Sequence, residues 1–276
     1  MARTAMRFHD PAQPAGTSTQ RNYVAALAAG LDVLACFKAQ PTMRYEDICA
    51  RTGLGGSELG ELIYTLTELG YLIQLPETNE YRLGACALVL GNGPLECHQV
   101  RDFAAPLMQE LAEATGTSVA LGTRDGLSMV YIEVKRSSIA SLILNTDVGA
   151  RLPLATSAIG RAYLAVCNER EYADLIEQIG RLEPVADYGV RQQIDQSMAT
   201  YEILGACGSF GDWQPDVNGI AVGLRAGNGL PPMSINCGAP AINAPPEYLL
   251  HQVRPQLIDL VRRIEQGLGQ THPLFA

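Results

Sequence analysis

The sequence contains no apolar run approaching the roughly 18 to 20 residues that a membrane-spanning helix needs. Its first 22 residues carry basic side chains, but no apolar stretch follows them, so they do not resemble a secretory signal. Their Pro, Gly, Ser and Thr content predicts a flexible arm over residues 1–22. We therefore expect a cytoplasmic protein that does not bind a membrane.

Metal-ligating and catalytic residue types are scarce or scattered. None of the four histidines lies at metal-ligand spacing from another histidine or from a cysteine, and no two of the seven cysteines have C-x-x-C spacing. This pattern predicts reduced thiols, no metal site and no cofactor. Cys237 is the one candidate nucleophile that we considered, but no histidine lies near it in sequence. We therefore predict no catalytic residue. The alternative is that the protein is an enzyme with a hydrolytic site at Cys237.

Charge is limited and mainly negative. Charged residues make up 18% of the chain, hydrophobic residues make up 47%, and the formal net charge is −9. This composition permits a substantial core. It also means that any contact with nucleic acid must come from local basic side chains, because the chain as a whole repels phosphate.

Residues 23–84 combine three helical segments with a hairpin. Leu27, Leu31, Leu34 and Phe37 recur at helical spacing, and a short second helix follows and ends at Gly53. A third helix begins at the predicted N-cap Ser57 and carries an apolar stripe from Leu59 to Leu69. Two strand-like arms flank the turn "PETN". The order predicts a winged helix-turn-helix; a small helical domain packed on the rest is the alternative.

The remaining chain mixes strands and helices. We expect a linker helix over residues 85–101 and an effector-binding and oligomerisation domain over residues 102–276. Runs such as "TSVALGT", "SMVYIEV", "SLILN", "GIAVGLRAG" and "PMSINCG" predict strands, and Pro255 predicts a kink in the closing helix. The fold class is therefore α+β.

Seven segments follow one another in a characteristic order: "YVAALAAGLDVLACF", "YEDICARTGL", "LIYTLTELGYL", "YRLG", "PLMQELAEATGTSVALGTRDGLSMVYIE", "VGARLPLATSAIGRAYLA" and "FGDWQPDVNGIAVGLRAGNGLPPMSINCGAP". Together they resemble the IclR family of bacterial transcription regulators. The resemblance spans about residues 23–269, and no single motif decides it. It implies an N-terminal winged helix-turn-helix on double-stranded operator DNA, a linker helix and a C-terminal GAF-like effector-binding domain. It also implies a homodimer or dimer of dimers whose DNA affinity responds to a small carboxylate or aromatic metabolite.

The third helix departs from the family pattern because Glu61 stands where members usually have an arginine. Residues 1–84 hold seven basic and nine acidic side chains, a net charge of 7 − 9 = −2. A glutamate can accept a hydrogen bond from the cytosine amino group, so DNA binding remains open. The alternative is a ligand-sensing scaffold that no longer binds DNA. The predicted DNA-contacting residues are Arg44, Arg51, Ser57, Glu58, Gly60, Glu61, Tyr64, Thr65 and Arg82.

The segment from Gly149 to Val166 predicts a loop followed by a helix start that Thr156 or Ser157 caps. Free backbone N–H groups at such a start favour an anion, although a capped helix with nothing bound explains the same pattern. The family resemblance places the effector pocket here. Asn236 keeps a polar group where the family often has hydroxyls, whereas Gly238 leaves room for a bulkier ligand. The residues implied are Ser141, Leu144, Leu152, Ala158, Ile159, Gly160, Ser209, Gly219, Asn236 and Gly238.

Overall fold

The structure is a computed structural model of the chain that forms two compact units, residues 1–95 and 96–276. The predicted arm, Ser141 and most of the predicted strand "SLILN" lie outside the described residues. Leu144 of that run is described and belongs to no helix or strand. The described residues are 23–38, 40–91, 97–138, 144, 146–182, 187–227 and 230–269.

The first unit is a winged helix-turn-helix, as the sequence predicted. Its three short strands form one antiparallel sheet in the order β1-β3-β2, and Asn79 with φ 56° closes the hairpin between β2 and β3. The elements are α1 (Ala25–Ala35), a 3-10 turn (Cys36–Lys38), β1 (Met43–Arg44), α2 (Tyr45–Thr52), α3 (Gly56–Glu68), β2 (Leu72–Leu75), β3 (Glu80–Leu83) and α4 (Ala85–Gly91).

Two details of this unit differ from expectation. The N-cap of α3 is Gly55, whose extended backbone precedes the helix, and no side chain caps it. Ser57 therefore lies inside the first turn, and its prediction as the N-cap was wrong. On α1, Leu27 and Leu31 are exposed (64% and 48%), because the helix buries the neighbouring face that carries Gly30 and Val33. The predicted single apolar stripe is thus divided between core and surface.

The second unit contains a six-stranded antiparallel sheet in the order β6-β5-β4-β9-β8-β7. The predicted boundary between residues 101 and 102 falls inside its first helix. The elements are α5 (Cys97–Thr115), β4 (Ser118–Asp125), β5 (Ser128–Arg136), β6 (Arg151–Pro153), α6 (Ala158–Leu164), α7 (Glu169–Leu182), α8 (Asp187–Leu204), β7 (Cys207–Phe210), β8 (Val217–Leu224), β9 (Met233–Pro240), α9 (Pro246–Tyr248), a π-helical turn (Leu249–Val253) and α10 (Arg254–Gly267).

Each face of this sheet packs on its own helices. Because side chains alternate along a strand, Ile235 and Cys237 of β9 join the core beneath α5 and α10, while Asn236 and Gly238 point to the other side. On that other side, residues of α6, α7 and α8 form a second core with β4, β5 and β8. The sheet thus separates a core on one face from a mixed core and polar site on the opposite face.

The closing helix is interrupted where the sequence predicted a kink. The π-helical turn Leu249–Val253 comes directly before α10, and Pro255 occupies the first turn of α10. Proline is tolerated there because the first N–H groups of a helix have no intrahelical partner.

Candidate functional site

The outward side of α3 presents one continuous exposed face. Ser57, Glu58, Glu61, Tyr64 and Thr65 are all exposed, and the exposed fraction of Tyr64 is 67%. Their spacing of three, four and seven residues places them along one side of the helix. Thr65 Oγ1 donates to the Glu61 carbonyl over 2.8 Å. The face carries hydroxyl and carboxylate groups.

Gly60 does not belong to that face. It is half-buried, and a Cβ at this position would lie 3.9 Å from the Tyr45 hydroxyl of α2. The same hydroxyl donates to the Gly56 carbonyl. Gly60 therefore serves the packing of α3 on α2, and its placement does not support close approach of its backbone to DNA.

The three predicted arginines of this unit have different environments. Arg44 is exposed and its Nε lies 3.8 Å from Glu80, while Arg82 is exposed on β3 in register with Ile73 of β2. Arg51, by contrast, is half-buried and donates from Nη1 to the Cys36 carbonyl over 2.8 Å. Arg51 thus ties α2 to the end of α1, whereas Arg44 and Arg82 remain accessible.

The strand register of the second unit aligns the predicted effector residues. Ser209, Gly219 and Gly238 occupy directly opposed positions on β7, β8 and β9. The same row continues through Ser118 of β4 to Arg136 of β5. Opposed residues on neighbouring strands point to the same face, so this row of small residues ends at an arginine.

The neighbouring row contains Asn236 between two alanines. Ala221 of β8 and Ala120 of β4 flank it, and Val134 of β5 closes the row. Most side chains in the two rows are short, and we call this strip of the sheet the small-residue trough (Ser118, Ala120, Gly219, Ala221, Asn236 and Gly238).

Two elements cover the small-residue trough. Ala158 of α6 lies over Gly219, with its Cβ 3.7 Å from the position that a Gly219 Cβ would occupy. Leu144 lies over Gly238, with Cδ1 3.2 Å from the corresponding position. Leu152 is buried on β6 with Leu154, Ala158 and Ile159 in the core of this face, and Ser209 Oγ donates to the Thr156 carbonyl over 2.8 Å. Ala158 and Leu144 thus lie over two neighbouring glycines of the trough.

Asn236 is buried in the trough with an unsatisfied oxygen. Only 7% of the residue is exposed, its Nδ2 lies 3.5 Å from the Cβ position of Gly238, and its Oδ1 has no hydrogen-bond partner. Burial raises the pKa of the Tyr131 hydroxyl above its ordinary value, and the Asn236 side chain opposes that shift. Buried polar atoms without partners are rare, because each costs the desolvation of that group, so this oxygen points to a missing partner.

The start of α6 is less open than the sequence suggested. Ser157 caps the helix as predicted, and its Oγ accepts the Gly160 N–H over 3.2 Å. Ala158, Ile159 and Gly160 are all buried, and a Cβ on Gly160 would lie only 2.2 Å from the Leu154 carbonyl oxygen. The expectation that these three N–H groups point outward was wrong for Gly160, because the cap uses that group and the first turn packs on the segment after β6.

Arg136 was missed in the sequence although it ends the row of Gly238. Its Nη2 donates to the Thr146 carbonyl over 2.6 Å and lies 3.5 Å from the exposed carboxylate of Asp147. Its Nε is buried and has no hydrogen-bond partner. The alternation of side chains along β5 could have indicated that Arg136 faces this site. The pairing of β5 with β4 shifts by one residue opposite Leu121 and Gly122, however, so alternation counted from the sequence alone assigns the wrong face.

A second missed arginine, Arg161 of α6, is structural. It is 3% exposed and donates to the carbonyls of Ala155 and Gly208, to Gln193 and to Asp212. One buried guanidinium therefore joins α6, α8, β7 and the loop after β7.

The described part of the chain gives little support for a cysteine nucleophile, a metal site or a membrane-spanning helix. Burial raises the pKa of the Cys237 thiol to about 12, so the sulfur is a neutral core group rather than a nucleophile. The described residues contain no cluster of three His, Cys, Asp or Glu able to hold a metal ion. None of their helices combines the length and apolar character that crossing a membrane requires.

Two surface cavities lie away from the small-residue trough. A groove of about 430 Å³ runs between α5 and α10, and its lining includes Leu107, Leu111 and Leu260. A smaller polar cavity of about 260 Å³ contains Arg124, whose Nε donates to Glu171 over 3.0 Å. Neither includes a predicted effector residue.

Comparison with known proteins gives a consistent result over nearly the whole chain. Residues 93–266 match the family model described as bacterial transcriptional regulator IclR C-terminal, and residues 26–76 match the IclR helix-turn-helix domain. The HTH-type transcriptional regulator TsaQ1/TsaQ2 of Comamonas testosteroni is 30% identical over 273 residues, which cover 98% of this chain and 96% of that protein. The crystal structure of an IclR family transcriptional regulator from Brucella abortus is 36% identical, with a TM-score of 0.71 over 92% of this chain and 96% of that one.

A third comparison concerns the fold alone. An IclR homologue from Microbacterium hydrocarbonoxydans, crystallised in complex with 4-hydroxybenzoate, is 19% identical to this chain. The two superpose with a TM-score of 0.70 over 88% of this chain and 99% of that one.

Proposed function

Because the chain belongs to the IclR family of bacterial transcriptional regulators, we propose that it is a repressor or activator whose operator affinity is set by a small metabolite. The family itself makes it a DNA-binding transcriptional regulator, with an N-terminal helix-turn-helix and a C-terminal ligand-binding domain, and not an enzyme. We further propose that the metabolite is a carboxylate or an aromatic compound and that the regulated genes serve catabolism or transport. The DNA-contacting and effector-contacting residues and a cytoplasmic location are proposals as well.

The exposed face of α3 is the observation that carries the DNA-binding part. Tyr64 offers a hydroxyl to a phosphate or a base edge, and Glu61 offers an acceptor for the cytosine amino group. The Thr65 hydroxyl donates to the Glu61 carbonyl, so it can only accept a hydrogen bond from a base. Arg44 and Arg82 are exposed and supply the phosphate contacts, whereas Arg51 is engaged with the Cys36 carbonyl. Because each chain supplies few basic side chains to the phosphates, the affinity for DNA depends on how many chains of an oligomer bind the operator at once.

A second copy of the chain is the partner that fits the exposed side of α1. Leu27 and Leu31, one turn apart on α1, and Tyr23 and Val24 directly before it are large apolar side chains that are exposed to solvent. A homodimer, alone or paired as a dimer of dimers, covers such a row and doubles the phosphate contacts on a partly palindromic operator.

The effector is proposed to occupy the small-residue trough. The unsatisfied Oδ1 of Asn236 and the apolar cover from Leu144 support a site for a mainly apolar ligand with a few polar groups. A ligand that displaces Leu144 in only one of two arrangements of the chain changes DNA affinity, since coupling requires a difference in affinity between the two states. The ligand of the Microbacterium hydrocarbonoxydans protein supplies a probe for this site.

A second candidate is favoured by the acidic character of α3. Glu58, Glu61 and Glu68 are exposed on the face that would meet phosphate. The competing function is a metabolite sensor that binds a protein partner and has lost its operator. Glu58 lies in the first turn of α3, where the helix dipole favours an acid without any ligand.

Fluorescence anisotropy with the purified full chain and its own upstream DNA distinguishes the two functions. We expect nanomolar, sequence-selective binding that weakens steeply with salt. Tyr64→Ala should weaken operator binding about tenfold or more, and Glu61→Arg should change the preferred base pair. Glu202→Ala, an exposed change on α8, is the matched control. Absence of any preference over random DNA at low salt, with and without effector candidates, would favour the sensor without an operator.

A further inference from the structure

We propose that three side chains on one face of α2 position α3 for operator binding, because they hold the backbone of the turn between the two helices. The three are Tyr45, Cys49 and Thr52, which we call the α2 clamp. The inference rests on the proposed function and deepens it, since it names residues that set operator specificity without contacting DNA. Three hydrogen bonds from the clamp to a glycine-rich turn carry it.

The turn that the clamp holds has little rigidity of its own. Between Thr52 and Ser57 the chain reads "GLGG", so three of its four residues are glycines. Glycine has the largest backbone freedom, so such a turn allows many orientations of the helix that follows it. The extended Gly55 occupies the N-cap position of α3, and no side chain caps this helix. The orientation of α3 therefore depends on contacts from outside the turn.

The clamp residues contact successive backbone groups of this turn. Tyr45, Cys49 and Thr52 are spaced by four and three residues on α2, so their side chains project from the same face. Thr52 Oγ1 accepts the Leu54 N–H over 3.4 Å, and Cys49 Sγ donates to the Leu54 carbonyl over 3.1 Å. The Tyr45 hydroxyl donates to the Gly56 carbonyl. One face of α2 thus binds both backbone groups of Leu54 and the first carbonyl of α3.

Tyr45 is the clamp residue that contacts α3 itself. Its hydroxyl lies 4.0 Å and 3.9 Å from the positions that a Cβ would occupy on Gly56 and Gly60. These two glycines are about one helical turn apart, so the end of the phenol ring packs where α3 has no side chains. The exposed Ser57 and Glu61 directly follow the two glycines. A change in this contact would therefore move the face of α3 that is proposed to meet the operator.

A positioning role differs from a phosphate contact in what it does to specificity. A side chain that binds phosphate contributes to affinity for every DNA sequence, whereas the orientation of α3 matters only where base edges are read. The Tyr45 O–H donates to the Gly56 carbonyl, so its one proton is not available to a phosphate oxygen. Loss of this hydroxyl should thus weaken operator binding and leave binding to random DNA unchanged.

Tyr45→Phe in the full chain tests the assignment, because it removes the hydroxyl and keeps the ring. In fluorescence anisotropy, the affinity for the upstream operator DNA should fall about fivefold, the equivalent of one hydrogen bond. Affinity for random DNA of the same length should change by less than about twofold, with an unchanged salt slope. Tyr248→Phe is the matched control. It removes a hydroxyl that donates to the Thr115 carbonyl in the second unit and should leave both affinities unchanged.

A second substitution in the turn separates positioning from a general loss of stability. Gly55 has φ −69°, close to the value that a proline ring imposes, so Gly55→Pro restricts the turn in its present conformation. We expect Tyr45→Phe combined with Gly55→Pro to recover operator affinity to within about twofold of the wild type. Tyr45→Phe combined with Gly189→Ala, a change in α8 where a Cβ has open space, should not recover it.

Hydrogen exchange measures the clamp without DNA. The Leu59 N–H donates to the Gly55 carbonyl over 2.9 Å in the first turn of α3. In Tyr45→Phe, exchange over residues 53–60 should become about threefold faster or more, because local opening costs less free energy once the tether is lost. Exchange in α1 and in the second unit should stay unchanged. Mass spectrometry of the free full chain gives these rates.

The outcomes separate this inference from the proposed function. If the wild type shows no operator preference, the proposed function fails, while faster exchange in Tyr45→Phe still supports the clamp. Unchanged exchange over residues 53–60 would overturn the clamp whatever the DNA result. So would an unchanged operator affinity in Tyr45→Phe, an equal loss on random DNA, or recovery by Gly189→Ala as large as that by Gly55→Pro.

Discussion

Arg161 Nη1 lies 2.6 Å from Asp212 Oδ2, and the arginine side chain is almost completely buried at that contact. The same guanidinium also holds the carbonyls of Ala155 and Gly208 and the side-chain oxygen of Gln193. The Arg161 side chain therefore ties the loop that carries Asp212 to α6. A buried cation with all of these partners is expected to be hard to replace, because each partner loses a donor.

We predict that Arg161→Met destabilises the chain by about 3 kcal/mol, since it leaves several polar groups without donors while preserving apolar volume. Urea unfolding followed by circular dichroism measures the loss. Arg151→Met is the matched control, because Arg151 forms an exposed pair with Asp125 whose removal should change stability by less than about 1 kcal/mol. Equal effects of the two substitutions would contradict the structural role of Arg161.

Two helix glycines should respond in opposite directions to alanine. A Cβ on Gly160 would overlap the Leu154 carbonyl, so Gly160→Ala should destabilise by about 2 to 4 kcal/mol. Gly189, near the start of α8, has no atom within 4 Å of its Cβ position, so Gly189→Ala should stabilise by up to about 1 kcal/mol. Thermal unfolding of both variants measures these changes in stability. An unchanged stability of Gly160→Ala would contradict the close packing of α6.

Arg51 and Arg82 should separate stability from DNA binding. Arg51→Ala removes the hydrogen bond to the Cys36 carbonyl and should lower the free energy of unfolding by about 1 to 2 kcal/mol. Arg82→Ala should leave stability unchanged, weaken operator binding and reduce the salt slope by about one per bound copy. Anisotropy across a salt series measures the slope. An unchanged slope in Arg82→Ala would remove Arg82 from the proposed DNA contacts.

Glu265 should make stability fall as the pH rises above the ordinary glutamate range. The residue is 1% exposed, its Oε1 accepts the Arg225 N–H over 2.9 Å and its buried Oε2 has no partner; burial raises the pKa of this carboxyl group. The folded state therefore holds the proton more tightly than the unfolded state. Stability decreases as the pH rises from the unfolded pKa, near 4.5, through the raised folded pKa.

Glu265→Gln removes this dependence, because the amide keeps the acceptor for Arg225 and carries no charge. We expect the variant to exceed the wild type by about 1 kcal/mol at pH 8 and to lose that advantage near pH 4. Urea unfolding at several pH values gives the difference. Glu110→Gln, on the exposed side of α5, should show no such trend. A constant difference across the pH range would mean that Glu265 does not titrate between these values.

The local sequence pattern was sufficient to predict the helices, the wing and the exposed side of α3. These features depend on hydrophobic spacing and turn residues, which act over a few neighbouring positions. It failed at Ser57, where Gly55 provides the extended residue before the helix, and at Leu27, where an apolar side chain lies outside the core. The short strands β6 and β7 were not predicted, because three or four residues carry little periodicity.

The candidate site depended on contacts between distant parts of the chain. Asn236 and Gly238 were identified from the family resemblance, but Tyr131, whose pKa responds to the Asn236 side chain, lies more than a hundred positions earlier and comes near Asn236 only through the sheet. Arg136 and Arg161 were missed for the same reason. Their importance comes from strand register and burial, which residue type and spacing do not reveal.

Side chains alternate along β8 and β9, so successive residues face opposite sides of the sheet and have different roles. Ile220, Val222, Ile235 and Cys237 fill the core beneath α5 and α10, while the residues between them form the trough. A substitution that reshapes the trough therefore leaves the packing of that core intact. Selection can alter what such a sheet senses, one small residue at a time, while the opposite face keeps the domain folded.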